Sequence, residues 1–220
     1  MQITRHIIRD QEFCLSSERC IYWASEKILI ASDLHFGKTG HFRKAGIAVP
    51  QSVYKEDLQR LFNLINFFKA DRLLIVGDLF HSKANLELEW FQRWRNDHQQ
   101  LIVDLVQGNH DILDAGWYAR TGIAVTKGSL NINQFCFQHD PAECINQDML
   151  AEPPYLFTGH IHPGVVIHGL GKQSLRFPCF YFGKDHCILP AFSRFTGAVS
   201  VNAREADAVY AIVNQSIIRV

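Results

Sequence analysis

Five short clusters gather side chains able to bind a cation or move a proton: Asp33-Leu34-His35, Gly77-Asp78-Leu79-Phe80-His81, Gly108-Asn109-His110-Asp111, His139-Asp140 and Gly159-His160-Ile161-His162. Imidazole mixed with carboxylate suits Mn, Fe and Zn, whereas a cage of oxygens alone would suit Ca or Mg. Histidine, the commonest metal ligand, occurs eleven times. Asp33 and His35, two residues apart, can point to one side of a strand end, as can His160 and His162, and Asn109 offers a neutral amide oxygen. A carboxylate has two oxygens with which to bridge cations about 3.5–4 Å apart, and Asp78 is the candidate bridge. Taken singly, each histidine reads as a hydrogen-bonded structural residue; the ordered set of five clusters reads as ligands. His110 lies between Asn109 and Asp111, whose carboxylate could orient the imidazole.

The elements that must position these residues are legible as apolar runs. Residues 28–30, 73–76 and 101–106 are short buried-strand patterns, and each runs directly into a polar cluster. Between them lie two helical patterns. One follows Pro50, with Leu58, Leu61, Phe62, Ile65 and Phe68 on one stripe and Asp57, Gln59, Arg60 and Lys69 off it; the other covers 85–98, with Leu86, Trp90, Phe91 and Trp94 inward. That alternation predicts crossovers and a largely parallel sheet, with its site outside the carboxyl ends of the strands. Residues 13–15 and 20–23 read as further strands. After Ile123 the pattern changes to short strands, at 130–132, 135–138, 155–158, 165–167, 179–182, 187–191, 208–213 and 217–220, which predict a second, mostly antiparallel sheet facing the first.

Composition excludes other classes. Twenty-two basic and 22 acidic side chains leave no formal net charge, which removes bulk charge as an argument for coating DNA or adhering to acidic membranes. Six scattered cysteines show no C-x-x-C spacing and read as free thiols. Charged residues from Arg5 to Glu12 sit where a signal peptide would be apolar, and no run approaches the roughly 20 apolar residues of a membrane helix, so a soluble cytoplasmic protein is expected. Gly37-Lys38-Thr39 is not a phosphate loop, because Ser32 stands where that pattern needs glycine. Lys38, Arg43 and Lys44 closely follow the first cluster and could steer phosphate, the alternative being solvated surface charge.

Asp-x-His, Gly-Asp-x-x, Gly-Asn-His-Asp, His and Gly-His-x-His in this order resemble the calcineurin-like metallophosphoesterase superfamily. The resemblance extends to 31–38, 42–47, Val49-Pro50, 77–81, 159–163 and 189–192, which look like the bacterial phosphoesterases associated with a DNA ligase and a DEXH helicase, described as DNA damage response endonucleases. Ser32 stands where that group usually carries Ala.

The resemblance implies an α/β fold, a four-layer αββα metallophosphoesterase sandwich of two facing mixed β-sheets flanked by helices, as a single domain over 1–220. It implies that Asp33, His35 and His162 hold one divalent ion, Asn109, His139 and His160 a second, that Asp78 bridges them, and that His110 approaches the leaving-group oxygen. The expected ions are Mn2+ first, with Fe or Zn as alternatives. The expected activity is hydrolysis of phosphodiester bonds by in-line attack of a metal-bridging hydroxide, at the subfamily level a DNA endonuclease of DNA repair. Two divalent cations, two carboxylates and a hydroxide leave about one positive charge, a small lean towards monoanionic diesters. A phosphomonoesterase or nucleotide hydrolase on the same metals is the alternative. A non-catalytic scaffold is the remotest reading, because it would carry broken ligand sets and none of the seven positions is broken.

Overall fold

The computed structural model describes residues 1–38, 52–81, 86–143, 152–169 and 173–220. Its first sheet holds seven strands in chain order: β1 (Ile3–Ile8), β2 (Gln11–Ser16), β3 (Cys20–Trp23), β4 (Ile28–Ala31), β5 (Arg72–Val76), β6 (Ile102–Val106) and β7 (Ile123–Thr126). From β1 to β4 the pairs are antiparallel, and Arg9 and Asp10, both at positive φ, make the two-residue turn that joins Ile8 to Gln11. From β4 to β7 the pairs are parallel. Parallel neighbours need crossovers, and α1 (Ser52–Phe68), α2 (Leu86–Asp97) and α3 (Ala115–Arg120) lie in them.

The second sheet contains β8 (Ser129–Ile132), β9 (Phe135–Gln138), β10 (Tyr155–Thr158), β11 (Pro163–His168), β12 (Ser174–Phe182), β13 (His186–Ile188), β14 (Val199–Ser200), β15 (Ala208–Val213) and β16 (Ser216–Arg219). Its order is β14-β11-β12-β13-β10-β9-β8, with β15 on β12 and β16 on β15. As expected the sheet is mostly antiparallel, in five of its eight strand pairs among the described residues, but two of the three parallel pairs lie beside the site. β10 pairs in parallel with both β9 and β13. Both sheets therefore bring parallel strands to the same place.

Period-two alternation builds two core layers. On β5, Leu73 and Ile75 join Leu61, Leu64, Ile65, Phe91 and Trp94 of the helices, while Leu74 and Val76 face the second sheet. Between the sheets Phe13, Trp23, Phe135 and Phe157 are fully buried, with ring centroids 5.0–5.8 Å apart. Each such ring contributes roughly 1.5–3 kcal/mol of burial, plus about 0.5–1.5 kcal/mol per aromatic pair. The outer face of the second sheet carries a smaller cluster of Cys179, Tyr181, Ile188 and Val209. The five described cysteines are free.

One polar face expected on α1 is not solvated. Asp57 and Arg60 are buried and paired at 3.1 Å, and the Arg60 guanidinium lies over the Phe192 ring and donates to the Phe192 carbonyl. The chain after β13 covers that face of the helix, a tertiary contact that helical periodicity cannot register.

Candidate metal centre

Both sheets deliver polar residues at the carboxyl ends of parallel strands, where an α/β ligand site belongs. Asp33 and His35 follow β4, Asp78 follows β5, Asn109 and His110 follow β6, His139 follows β9, and His160 and His162 follow β10. The backbone is bent to do this. Asp33, His35, Asp78, His160 and His162 all adopt positive φ between 49° and 65°, a conformation that costs non-glycine residues about 1–3 kcal/mol each and clusters at functional sites. Segment 191–193 stitches the sheets together here: the Phe192 and Ser193 amides donate to the carbonyls of Ser32 and Asp33.

The glycines of the clusters make room for the ligands. A Cβ on Gly77, itself at φ +80°, would stand 2.0 Å from His139 Nδ1, and one on Gly159 would stand 1.9 Å from Ser32 Oγ and 2.7 Å from Asp33 Oδ2. Ser32, the departure noted above, puts its hydroxyl 2.6 Å from both Asp33 Oδ2 and the Val76 carbonyl. That oxygen of Asp33 also accepts the His160 amide at 3.1 Å. One carboxylate oxygen is thus anchored and the other is offered.

The offered atom, Asp33 Oδ1, is buried without a hydrogen-bond partner. It lies 3.1 Å from His162 Nε2 and 3.8 Å from His35 Nε2, and the two Nε2 atoms are 3.3 Å apart. A second convergence surrounds His139. Its Nδ1 lies 3.0 Å from the Val76 carbonyl and so donates there, leaving Nε2 3.2 Å from Asn109 Oδ1 and 3.4 Å from Asp78 Oδ1. A cation bonded at about 2.1 Å separates adjacent ligands by about 3.0 Å in an octahedron or 3.4 Å in a tetrahedron. Both sets fit a divalent cation on this test, and ligating atoms of Asp33, His35 and His162, and of Asp33, Asp78 and His139, lie within 4.8 Å of one another. Asp78 stands between the sets, with Oδ1 towards His139 and Oδ2 4.0 Å from His35 Nδ1.

Electrostatics favour the ligand form at His35 and oppose it at His139, whose proton a cation would have to displace. Burial pushes the His35 pKa down to about 3 against the opposing pull of Asp33 and Asp78, so the ring is neutral, as a ligand must be. Burial also works against charge on Asp78 and His139, but their mutual attraction outweighs it, holding the carboxyl below and the imidazole above their ordinary values.

His160 is not drawn into either set. Its ring sits 5.1 Å from that of His139, two-fifths of the side chain is exposed, and Nε2 faces Asp140 at 4.0 Å. His110 stands at the rim, with Nε2 4.0 Å from Asp78 Oδ2 and its ring 4.3 Å from that of His81. The expectation that Asp111 orients His110 is not met. Its carboxylate accepts the amides of Asp78, Gly108 and Phe80 at 2.8–3.2 Å, tying the turns after β5 and β6 together. Burial raises its pKa to about 6, partly offset by the Gly108 and Phe80 amides. Lys38 approaches Thr196 at 3.5 Å, and burial lowers its pKa while Asp33 and Asp78 oppose the shift. Arg43 and Lys44 lie outside the described residues.

Residues 26–188 match the model of the calcineurin-like phosphoesterase family. The chain belongs to that family and is a metal-dependent phosphoesterase, a hydrolase. Among solved structures it is similar to the nuclease MPE of Pseudomonas putida, with 27% identity, 100% of each chain covered and a TM-score of 0.82. It is also similar to Yfce, a phosphoesterase from E. coli, at 16% identity over 88% of this chain and 97% of that one, with a TM-score of 0.43. No curated protein matches the sequence significantly. No helix among the described residues is long and apolar enough to cross a membrane.

Proposed function

We propose that this phosphoesterase is a dinuclear phosphodiesterase that cuts DNA during repair, in association with a ligase and a helicase, with Mn2+ as its preferred cation. The observation that carries the dinuclear reading is the pair of converging donor sets with Asp78 between them. Full-length similarity to a nuclease supports a nucleic acid as the substrate, and the resemblance of the sequence blocks to DNA damage response endonucleases narrows it to DNA. Asp33, His35 and His162 would hold one ion and Asn109 and His139 the other, Asp78 would bridge them, and His160 would have to turn from Asp140 to complete the second set. Bound there, two divalent ions supply the positive charge that meets a phosphate and acidifies a water.

The protein's own groups do the rest. Ser32 and the His160 amide fix Asp33, and Val76 fixes the ring of His139. The half-buried imidazole of His110, beside Asp78, would give a proton or hydrogen bond to the departing oxygen. Lys38, and by sequence Arg43 and Lys44, attract the polyanion.

Purified protein assayed on DNA, bis-p-nitrophenyl phosphate and p-nitrophenyl phosphate, with Mn2+, Mg2+, Zn2+ or EDTA, tests the proposal. Cleavage of both diesters is expected, strongest with Mn2+ and abolished by EDTA. Hydrolysis of the monoester alone would make the chain a phosphomonoesterase.

A further inference from the structure

Against the metal centre lies a second cleft, of about 390 Å3, which shares His162 as a wall and is lined also by Arg19, Arg176 and Thr196. No carboxylate lines it, and neither arginine stands within ion-pair distance of a carboxylate among the described residues. The acids nearest Arg19 are engaged elsewhere: Glu18 lies 2.7 Å from Arg194 and 3.7 Å from Arg60, and Asp57 lies 3.1 Å from Arg60. Backbone carbonyls aim both guanidinium groups without neutralising them. Arg19 donates to Ser193 O at 2.8 Å and Ala191 O at 3.4 Å, and Arg176 to Ala198 O at 3.1 Å. Gly164 lets the Arg176 stem lie close, since a Cβ there would meet Arg176 Cγ at 3.1 Å and Ala198 Cβ at 2.8 Å. Thr196, on the wall, is also the partner of Lys38. Burial, with repulsion from Arg60 and Arg194, pushes the Arg19 pKa down to about 10, a strain that a bound anion would relieve.

We propose that this cleft seats a second phosphate of the substrate, the phosphodiester adjoining the one hydrolysed on a single DNA strand. The guanidinium fork matches phosphate oxygens in pairs. A small diester, having one phosphate, fills the metal centre and leaves the cleft empty; a strand fills both. The proposal rests on the nuclease reading, to which it adds a binding site for substrate beyond the reacting group.

Arg176 is exposed, so its replacement should spare the fold, whereas Arg19 also holds segment 191–193. Steady-state constants for Arg176→Ala, Arg176→Glu and Arg176→Lys are compared on a short single-stranded oligonucleotide and on bis-p-nitrophenyl phosphate over a range of salt. Expected for Arg176→Ala is a rise of roughly tenfold in KM for DNA at near-constant kcat, a salt slope shallower by about one, and a fall in the DNA-to-small-diester ratio of kcat/KM. Arg176→Glu should exceed this and Arg176→Lys should restore much of it. A wild type that cuts DNA while Arg176→Glu keeps its KM overturns the cleft's role and leaves the nuclease reading standing, as does an equal loss on both substrates. A wild type that hydrolyses the small diester and leaves DNA intact overturns the nuclease reading and the cleft's role with it.

Discussion

At the scale of single residues, the two buried carboxylates are not equivalent. Asp78 turns one oxygen, which also accepts the His110 amide, towards His139 and the other towards His35, whereas Asp33 has one oxygen committed to Ser32 and the His160 amide and offers only the other. Asp78→Asn should therefore cost more metal and more activity than Asp33→Asn, exceeding the roughly 10–100-fold typical of outer-shell partners. Metal counting by mass spectrometry beside rates on bis-p-nitrophenyl phosphate checks it, and equal losses would remove Asp78 from the bridging position. His110 is predicted to act on the leaving group alone. An alkoxide needs a proton as it departs, and a placed imidazole contributes roughly 10²–10⁴-fold, whereas nitrophenolate leaves unaided. His110→Ala should retain its metals and lose far more activity on DNA than on bis-p-nitrophenyl phosphate; a variant that loses metal, or suffers alike on both, refutes the assignment. The residues gathered around the two donor sets were legible because each ends a buried run and sits in a cluster of ligand types. Ser32 and Asp111 were not, since their work is done across the chain, on Val76 and on the amides of Asp78 and Phe80, contacts that carry no local pattern.

At the scale of elements, the strands that feed the site were readable, and those at the margins were not. β1 alternates without burying more than one residue, β7 buries only its first, and α3 spans six residues, too few for a helical period to emerge. The coupling of α1 to the site was equally hidden. Arg60 joins Asp57 on the same helix to the Phe192 carbonyl, and segment 191–193 in turn pairs with Ser32 and Asp33. Arg60→Ala should thus do two things. It leaves the Asp57 carboxyl buried without its partner, a loss of about 3–5 kcal/mol, and it frees the segment that anchors the first metal ligand. Expected are a thermal midpoint lower by roughly 6–20 °C at about 2–4 °C per kcal/mol for a domain of this size, and weaker metal retention in the protein that remains folded. Combining Arg60→Met with Asp57→Leu should recover much of the midpoint, because an apolar pair of similar volume carries no stranded charge. Failure of the double variant to recover any stability, measured by calorimetry, would show that the pair matters for something other than its charge balance.

At the scale of the whole molecule, the centre stores free energy that a bound cation would release. Asp33 is buried with its Oδ1 lacking a hydrogen-bond partner, and five residues of the clusters hold positive φ. These features oppose folding in the absence of metal, and they converge where the carboxyl ends of parallel strands from both sheets come together. A ligand that binds the folded chain and not the unfolded one stabilises it by about 2.7 kcal/mol at a hundred times its Kd, which for a chain of this size corresponds to roughly 5–10 °C in the midpoint. Chelator-stripped protein titrated with Mn2+ should show that rise in differential scanning calorimetry, with a smaller one for Mg2+, which favours oxygen ligands over imidazole. Asp78→Asn provides the opposing case. Because the attraction between Asp78 and His139 outweighs the burial cost of the carboxylate, removing that charge should lower the midpoint of the stripped protein, and the loss of the shared ligand should also blunt the increment that Mn2+ adds. If Mn2+ leaves the wild-type midpoint unchanged at concentrations that support catalysis, the donor sets do not act as cation sites in the folded protein, and the phosphoesterase chemistry assigned to them has to be sought from other residues.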